Sequence, residues 1–154
     1  TRAQNSPPKR EFRGIWIATV ANIDFPSVGG LSREKFKAEW IARVDALQNA
    51  GFNTLVVQIR PAGDAFYYSK ISPWSKFLTG QQGLEPPDGF DPLAFMIETA
   101  HNRNFDFHAW LNPYRAAMDT ITLGLAPAHP YKQHPEWFLQ YGGRLYFNPA
   151  LPAV

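Results

Sequence analysis

The stretch "ALQNAGFNTLVVQIRPAGDAFYY", Ala46 to Tyr68, decides the fold. Its middle, Thr54–Arg60, is a near-continuous apolar run, as expected of a strand covered on both faces. Ahead of it, Gly51 stops a helical pattern and only about three residues lead into the strand. Behind it, about thirty residues dense in Gly, Pro, Ser and aromatics pass before helical spacing returns. Tight entries and long exits describe parallel strands whose functional face is built from loops at their C-terminal ends.

The same rhythm extends outward. "FRGIWIATV" (Phe12–Val20) is rich in β-branched and aromatic residues and reads as the preceding strand. Ser32 is placed to cap a helix in which Phe36, Trp40, Val44 and Leu47 recur at three- and four-residue spacing. Asp91 and Pro92 open a second helix, "PLAFMIETAHNRN", and "FDFHAWLNPY" reads as a third strand. From Arg115 onward the chain reads as irregular and proline-rich. Strand, helix, strand, helix, strand with right-handed crossovers gives parallel neighbours. "ANIDFPSVGG" after the first strand is not the glycine fingerprint of a dinucleotide-binding sheet. The expected fold is therefore α/β, the first three βα units of a (β/α)8 barrel, incomplete because a whole barrel takes roughly 200 to 250 residues.

Composition narrows the function. The chain has 154 residues, 45 % hydrophobic and 18 % charged, which is a globular rather than a disordered composition. Its net charge of +2 comes from scattered residues without a basic run, so no nucleic-acid partner is expected. The absence of cysteine excludes a thiol nucleophile and a cysteine-ligated metal. The four histidines show no helical pair at ligand spacing, and neither a metal nor a cofactor is expected. No window has the roughly 18 apolar residues of a membrane span. The polar start, residues 1–11, reads as a tether ahead of a barrel portion at 12–154, or as an ordinary frayed terminus.

Three strand ends then face one another: "ATVANID", "QIRPAGDAFY" and "HAWLNPYR". Hydroxyl-rich ligands want planar partners such as Asn, Gln, Asp and Arg, and the apolar face of a sugar ring wants an aromatic one. Gln58, Arg60, His108, Asn112 and Arg115 supply the first; Tyr67, Tyr68, Trp74, Trp110 and Tyr114 are candidates for the second. Plainer roles stand beside these: an Arg60–Asp64 ion pair fixing the loop, a core histidine at position 108, a turn at Asn112–Pro113, and Arg115 anchoring its own loop.

"REFRGIWIATVANIDFPS", "NTLVVQIRPAGDAFYYSKISPWSKFLTGQQG", "DPLAFMIETAHNRNFDFHAWLNPYR" and "LYFNPALPAV" resemble, in order, the N-terminal half of the glycosyl hydrolase-like 10 family of bacterial envelope proteins. The resemblance implies a (β/α)8 barrel acting on glycan, with peptidoglycan strands as a substrate class, in exported or lipid-anchored proteins. It places the family's R-P-x-x-D-A block on Arg60, Pro61, Asp64 and Ala65, and its H-A-W-x-N-P-Y-R block on His108, Ala109, Trp110, Asn112, Pro113, Tyr114 and Arg115. Phe25 stands where many relatives have Trp. The family's acidic fourth strand is expected beyond Val154, in a C-terminal barrel half that would complete the site. Glycosidases need two carboxylates, about 5 to 5.5 Å apart for retention or about 6.5 to 9.5 Å for inversion. Asp64 is the one well-placed candidate here, with Asp24 in the first loop. An Asp beside Arg60 is expected to stay ionised, a stabilising rather than an acid-donating role. A glycan-binding module without catalysis, or an inactive fragment, is the alternative.

Overall fold

The computed structural model describes residues 11–154, so all of the expected N-terminal tether except Glu11 lies outside the described residues. Three parallel strands, β1 (Gly14–Ile17), β2 (Thr54–Arg60) and β3 (Asp106–Leu111), form one sheet in the order β1-β2-β3. The helix α1 (Arg33–Asn49) links the first pair, and the loop after β2 leads through a short α2 (Lys76–Thr79) to α3 (Pro92–His101). The result is an incomplete, barrel-like α/β fragment with its long connections at the C-terminal strand ends.

The caps follow the sequence. Ser32 Oγ accepts from the Lys35 amide and Asp91 Oδ1 from the Ala94 amide, each satisfying an amide that the first helical turn leaves unpaired. Gly51, at φ +86°, turns the chain out of α1. α3 ends three residues short of Asn104, where a positive φ of +60° reverses the backbone. β1 is also shorter than Phe12–Val20 suggests. The amides of Thr19 and Val20 donate to the Gln58 side chain instead of continuing the ladder.

One face of the sheet carries Ile17, Leu55, Val57 and Ile59 against Phe36, Trp40 and Val44 of α1 and Met96 of α3. Trp40 Nε1 donates to the Met96 carbonyl at 3.2 Å, so the two helices are tied as well as packed. The other face is the one that would line a closed barrel. Register places Trp16, Val56 and His108 in one row across it, with Gln58 and Trp110 in the next. It is open here, and Trp16 is 63 % exposed. On the helix-facing side of β3, Ala109 and Leu111 are uncovered.

The region from Arg115 is not irregular. It forms β4 (Arg115–Ala117), a short α4 (Pro130–Gln133), β5 (Phe138–Tyr141) and β6 (Arg144–Phe147), paired antiparallel in the order β4-β6-β5. Gly142 and Gly143, at φ +55° and +72°, make the two-residue turn of the β5–β6 hairpin. Ala116, Ala117, Leu145 and Phe147 bury a second core, flanked by Leu125, Tyr131 and Phe138. The strands are too short for alternation to show, and β4 is held by a partner about thirty residues further along the chain.

Candidate functional site

The C-terminal ends of β2 and β3 are locked together before any ligand is considered. The Asn112 amide donates to the Arg60 carbonyl at 3.0 Å, and its side-chain Nδ2 donates to the Pro61 carbonyl at 3.2 Å. The Asn112 Oδ1 then accepts from Trp110 Nε1 at 3.0 Å, which fixes the indole. Trp16 meets Trp110 edge-on at 5.1 Å between centroids, so two tryptophans stand on the open face. His108 is exposed on the same face rather than buried in a core.

Gln58 is fully buried. Its Oε1 accepts from Thr19 N at 3.0 Å and Val20 N at 2.9 Å, and Thr19 Oγ1 donates to its carbonyl at 2.8 Å. It therefore shapes the end of β1, and its Nε2 has no hydrogen-bond partner among the described residues.

Arg60 and Asp64 do not form the ion pair that is the plainer alternative for them; neither takes part in any salt bridge among the described residues. Asp64 is 1 % exposed, with Oδ1 accepting from Ala62 N and Oδ2 from Gln82 Nε2, both at 3.2 Å. Burial pushes its pKa up to about 6, against the pull of the Gln82 and Ser75 hydrogen bonds, the Ala62 amide and Lys76. The arginine expected to hold it ionised is not its partner: desolvation outweighs the stabilising contacts and raises the pKa, although at about 6 the carboxyl still ionises by neutral pH. Gln82 passes the connection on by accepting from Ala126 N at 3.0 Å. Asp64 lines a small cavity of about 140 Å³ with Lys76, Gln82 and Asp119, separate from Arg60. Asp24 likewise turns inward, its Oδ2 accepting from Ala18 N at 2.8 Å.

Arg60 and Tyr114 do come together. They line a groove of about 330 Å³ with Pro113, Trp137 and Phe147. The Arg60 guanidinium lies 5.9 Å from the Phe147 ring centroid. Trp137 and Phe147 were not singled out by sequence, although Gly142-Gly143 between "FLQY" and "RLYF" is a hairpin signal that would have placed Phe147 on a paired strand, with Trp137 just ahead of the other. Trp74 is half-buried against the main core and lines a different groove with Tyr68, while Tyr67 packs on that core. Arg115 sits in β4 opposite Tyr146, outside the Arg60 groove.

His129 explains a glycine. Its buried ring accepts from Tyr131 N at Nδ1, so the neutral tautomer carries its proton on Nε2, 3.1 Å from the Ala116 carbonyl. Burial holds its pKa below the ordinary histidine range. A Cβ at Gly63 would stand 2.6 Å from that Nε2, and Gly63 has φ +66°, so only glycine lets the β2 loop close on the second core. Among the described residues no three His, Cys, Asp or Glu side chains gather as a metal site.

The sequence pattern of the family described as glycosyl hydrolase-like 10 matches residues 11–154. The chain belongs to the glycosyl hydrolase-like 10 family. Relatives in or near this family include glycosyl hydrolase YngK of Bacillus subtilis (strain 168), 50 % identical over 149 residues, covering 96 % of this chain and 29 % of YngK. Glycosyl hydrolase DigH of Escherichia coli (strain K12) is 39 % identical over 170 residues, covering 100 % of this chain and 38 % of DigH. The chain thus spans roughly a third of the length of these curated relatives. Among solved structures, a noncanonic maltogenic alpha-amylase AmyB from Thermotoga neapolitana overlays 91 % of this chain and 32 % of that one, at a TM-score of 0.48 and 18 % identity. Among the described residues no helix is long and apolar enough to cross a membrane.

Proposed function

We propose that this chain is the N-terminal part of a glycoside hydrolase that cleaves O-glycosidic bonds in a polysaccharide, with the glycan strands of peptidoglycan as its substrate. On this reading it works in the bacterial envelope, periplasmic, secreted or lipid-anchored. The observation that carries the proposal is the mouth at the ends of β2 and β3: in a glycosyl hydrolase-like 10 chain, Trp110 is pinned by Asn112 beside a groove where Arg60 faces Tyr114 and Trp137. Indole and phenol rings offer flat apolar faces to sugar rings, and the guanidinium offers a fork of donors to their oxygens.

Hydrolysis also needs an acid and its carboxylate partner. Asp64 and Asp24, the strand-end candidates, both accept hydrogen bonds from amides that hold the loops in place. The reading therefore assigns the acid pair to the part of the relatives that this chain does not cover. It gives the residues here the work of binding, with the C-terminal barrel half as their partner.

The test is the natural full-length gene product incubated with purified glycan strands, with new reducing ends as the readout. Steady release supports the proposal, and no release with no binding overturns it. Binding without release selects the second reading, a non-catalytic glycan-binding barrel. The occupied state of both strand-end carboxylates favours that second reading over a hydrolase complete within these residues.

A further inference from the structure

We infer that the junction where His129 meets Gly63, Ala116 and Tyr131 is a latch that acid opens, releasing the antiparallel sheet from the loop after β2. The imidazole is 0 % exposed and is held by separate parts of the chain. Its Nδ1 accepts from the Tyr131 amide at 3.1 Å, which makes it the cap of α4, and its Nε2 donates to the Ala116 carbonyl of β4 at 3.1 Å. Gly63 of the β2 loop lies close against the same ring: an added Cβ would stand 2.6 Å from Nε2 and 2.9 Å from the Ala116 oxygen. Phe138 of β5 closes the junction, its ring centroid 6.2 Å from that of the imidazole.

These contacts suit one protonation state. Nδ1 accepts only while it carries no proton, so the neutral ring fits and the imidazolium does not. A second proton would set N–H against N–H at Tyr131 and place a charge where solvent does not reach. Arg60 at the end of β2 and Lys132 on α4 bear on the ring, and both are cations that repel that proton. Asp64, one residue past Gly63, is turned away, its two oxygens accepting from Ala62 N and from Gln82 Nε2. β4 and β5 meet the ring through a carbonyl and a phenyl group, neither of which titrates. The ring therefore leaves its seat to take up a proton, and the β2 loop loses the surface that Gly63 packs on.

A second connection keeps the two parts together when the first gives way. Gln82 donates to Asp64 and accepts from Ala126 N at 3.0 Å, three residues ahead of His129. A protonated Asp64 still has an oxygen for the Gln82 amide, so this link acts as the hinge to the His129 latch. Burial holds the folded His129 below the ordinary value of 6.5, so the closed junction weakens as pH falls through 6.5 and stops weakening below the lowered value. Each pH unit in that window raises the opening constant about tenfold. Asp64 moves the other way, gaining stability as pH falls below about 6, so the latch has to be read locally and not from a global melt.

The experiment is hydrogen–deuterium exchange of the natural full-length gene product, followed by mass spectrometry from about pH 7.5 to about pH 5 and corrected for intrinsic exchange. Peptides spanning Ala116 and Tyr131 should lose protection by up to about tenfold per pH unit below about 6.5, while those of α1 and α3 keep theirs. His129→Asn should make the profile flat, since asparagine caps a helix with a side-chain oxygen that does not titrate. His134→Gln, which removes the exposed histidine at the other end of α4, should leave the slope unchanged. The parent and His134→Gln decide the matter should the asparagine variant fail to fold. A flat profile in the parent, equal loss of protection in α1 and α3, a slope that survives His129→Asn, or one that vanishes with His134→Gln would each overturn the latch. Glycan plays no part in the readout, so the latch and the hydrolase reading stand or fall separately.

Discussion

Gln58 is a polar residue inside an apolar strand because the neighbouring strand needs it. Two successive amides at the end of β1 donate to one side-chain oxygen, which lets the chain leave the ladder at Ile17 without stranding buried donors. Gln58→Ala should therefore destabilise the full-length product by about 2 kcal/mol or more, read from denaturant titration, since two buried N–H groups lose their acceptor. Asp64 gives a pH-dependent test. Its pKa in the folded chain, about 6, lies above the ordinary aspartate value of 3.8, so the fold is penalised once the unfolded carboxyl ionises. The penalty grows as pH rises from about 4 and is complete above about 6, reaching about 3 kcal/mol. Asp64→Asn should melt higher than the parent at pH 7 and converge with it near pH 4; a constant offset would contradict the burial account. His129 has the opposite slope, losing stability as pH falls below the ordinary histidine range, which is why the comparison must be variant against parent.

At the scale of elements, the parts legible in sequence are those whose signals are local. α1 announces itself by its Ser32 cap and by Phe36, Trp40 and Val44 on one face, and β2 by an uninterrupted apolar run. The antiparallel sheet offered only the Gly142-Gly143 turn as a signal: its strands have three or four residues, and β4 finds its partner about thirty residues further along the chain. The site divides in the same way. Trp110, Asn112, Arg60 and Tyr114 could be read because they end strands. The burial of Asp64 could not, because Gln82 and the second core that enclose it come from elsewhere. Two glycines test this element. Gly63→Ala should cost about 2 kcal/mol or more, from a left-handed backbone and a collision with His129. Gly142→Asn, with nothing within 4 Å of the added atom and a turn that favours asparagine, should leave the melting temperature nearly unchanged.

At the scale of the whole molecule, the parallel sheet has no further strand beside β1 or β3 among the described residues. Trp16 and Trp110 face an open interior, and Ala109 and Leu111 lie bare on the side where a helix covers β2. Residues 11–154 expressed alone should self-associate through these surfaces, giving species larger than a monomer by light scattering after gel filtration. A monomer with one sharp melting transition would contradict this. The chain extended to the length of its relatives should lose that tendency.

Because Ala116, Leu145 and Phe147 have a core of their own, the antiparallel sheet meets the parallel one through side contacts, among them His129 against Gly63, Arg60 over Phe147 and Gln82 between Asp64 and Ala126. Such a wall can be resurfaced by substitution in its strands while the parallel sheet and its helices keep their packing. On the glycan reading proposed above, relatives would then differ in which glycan they prefer through this small sheet.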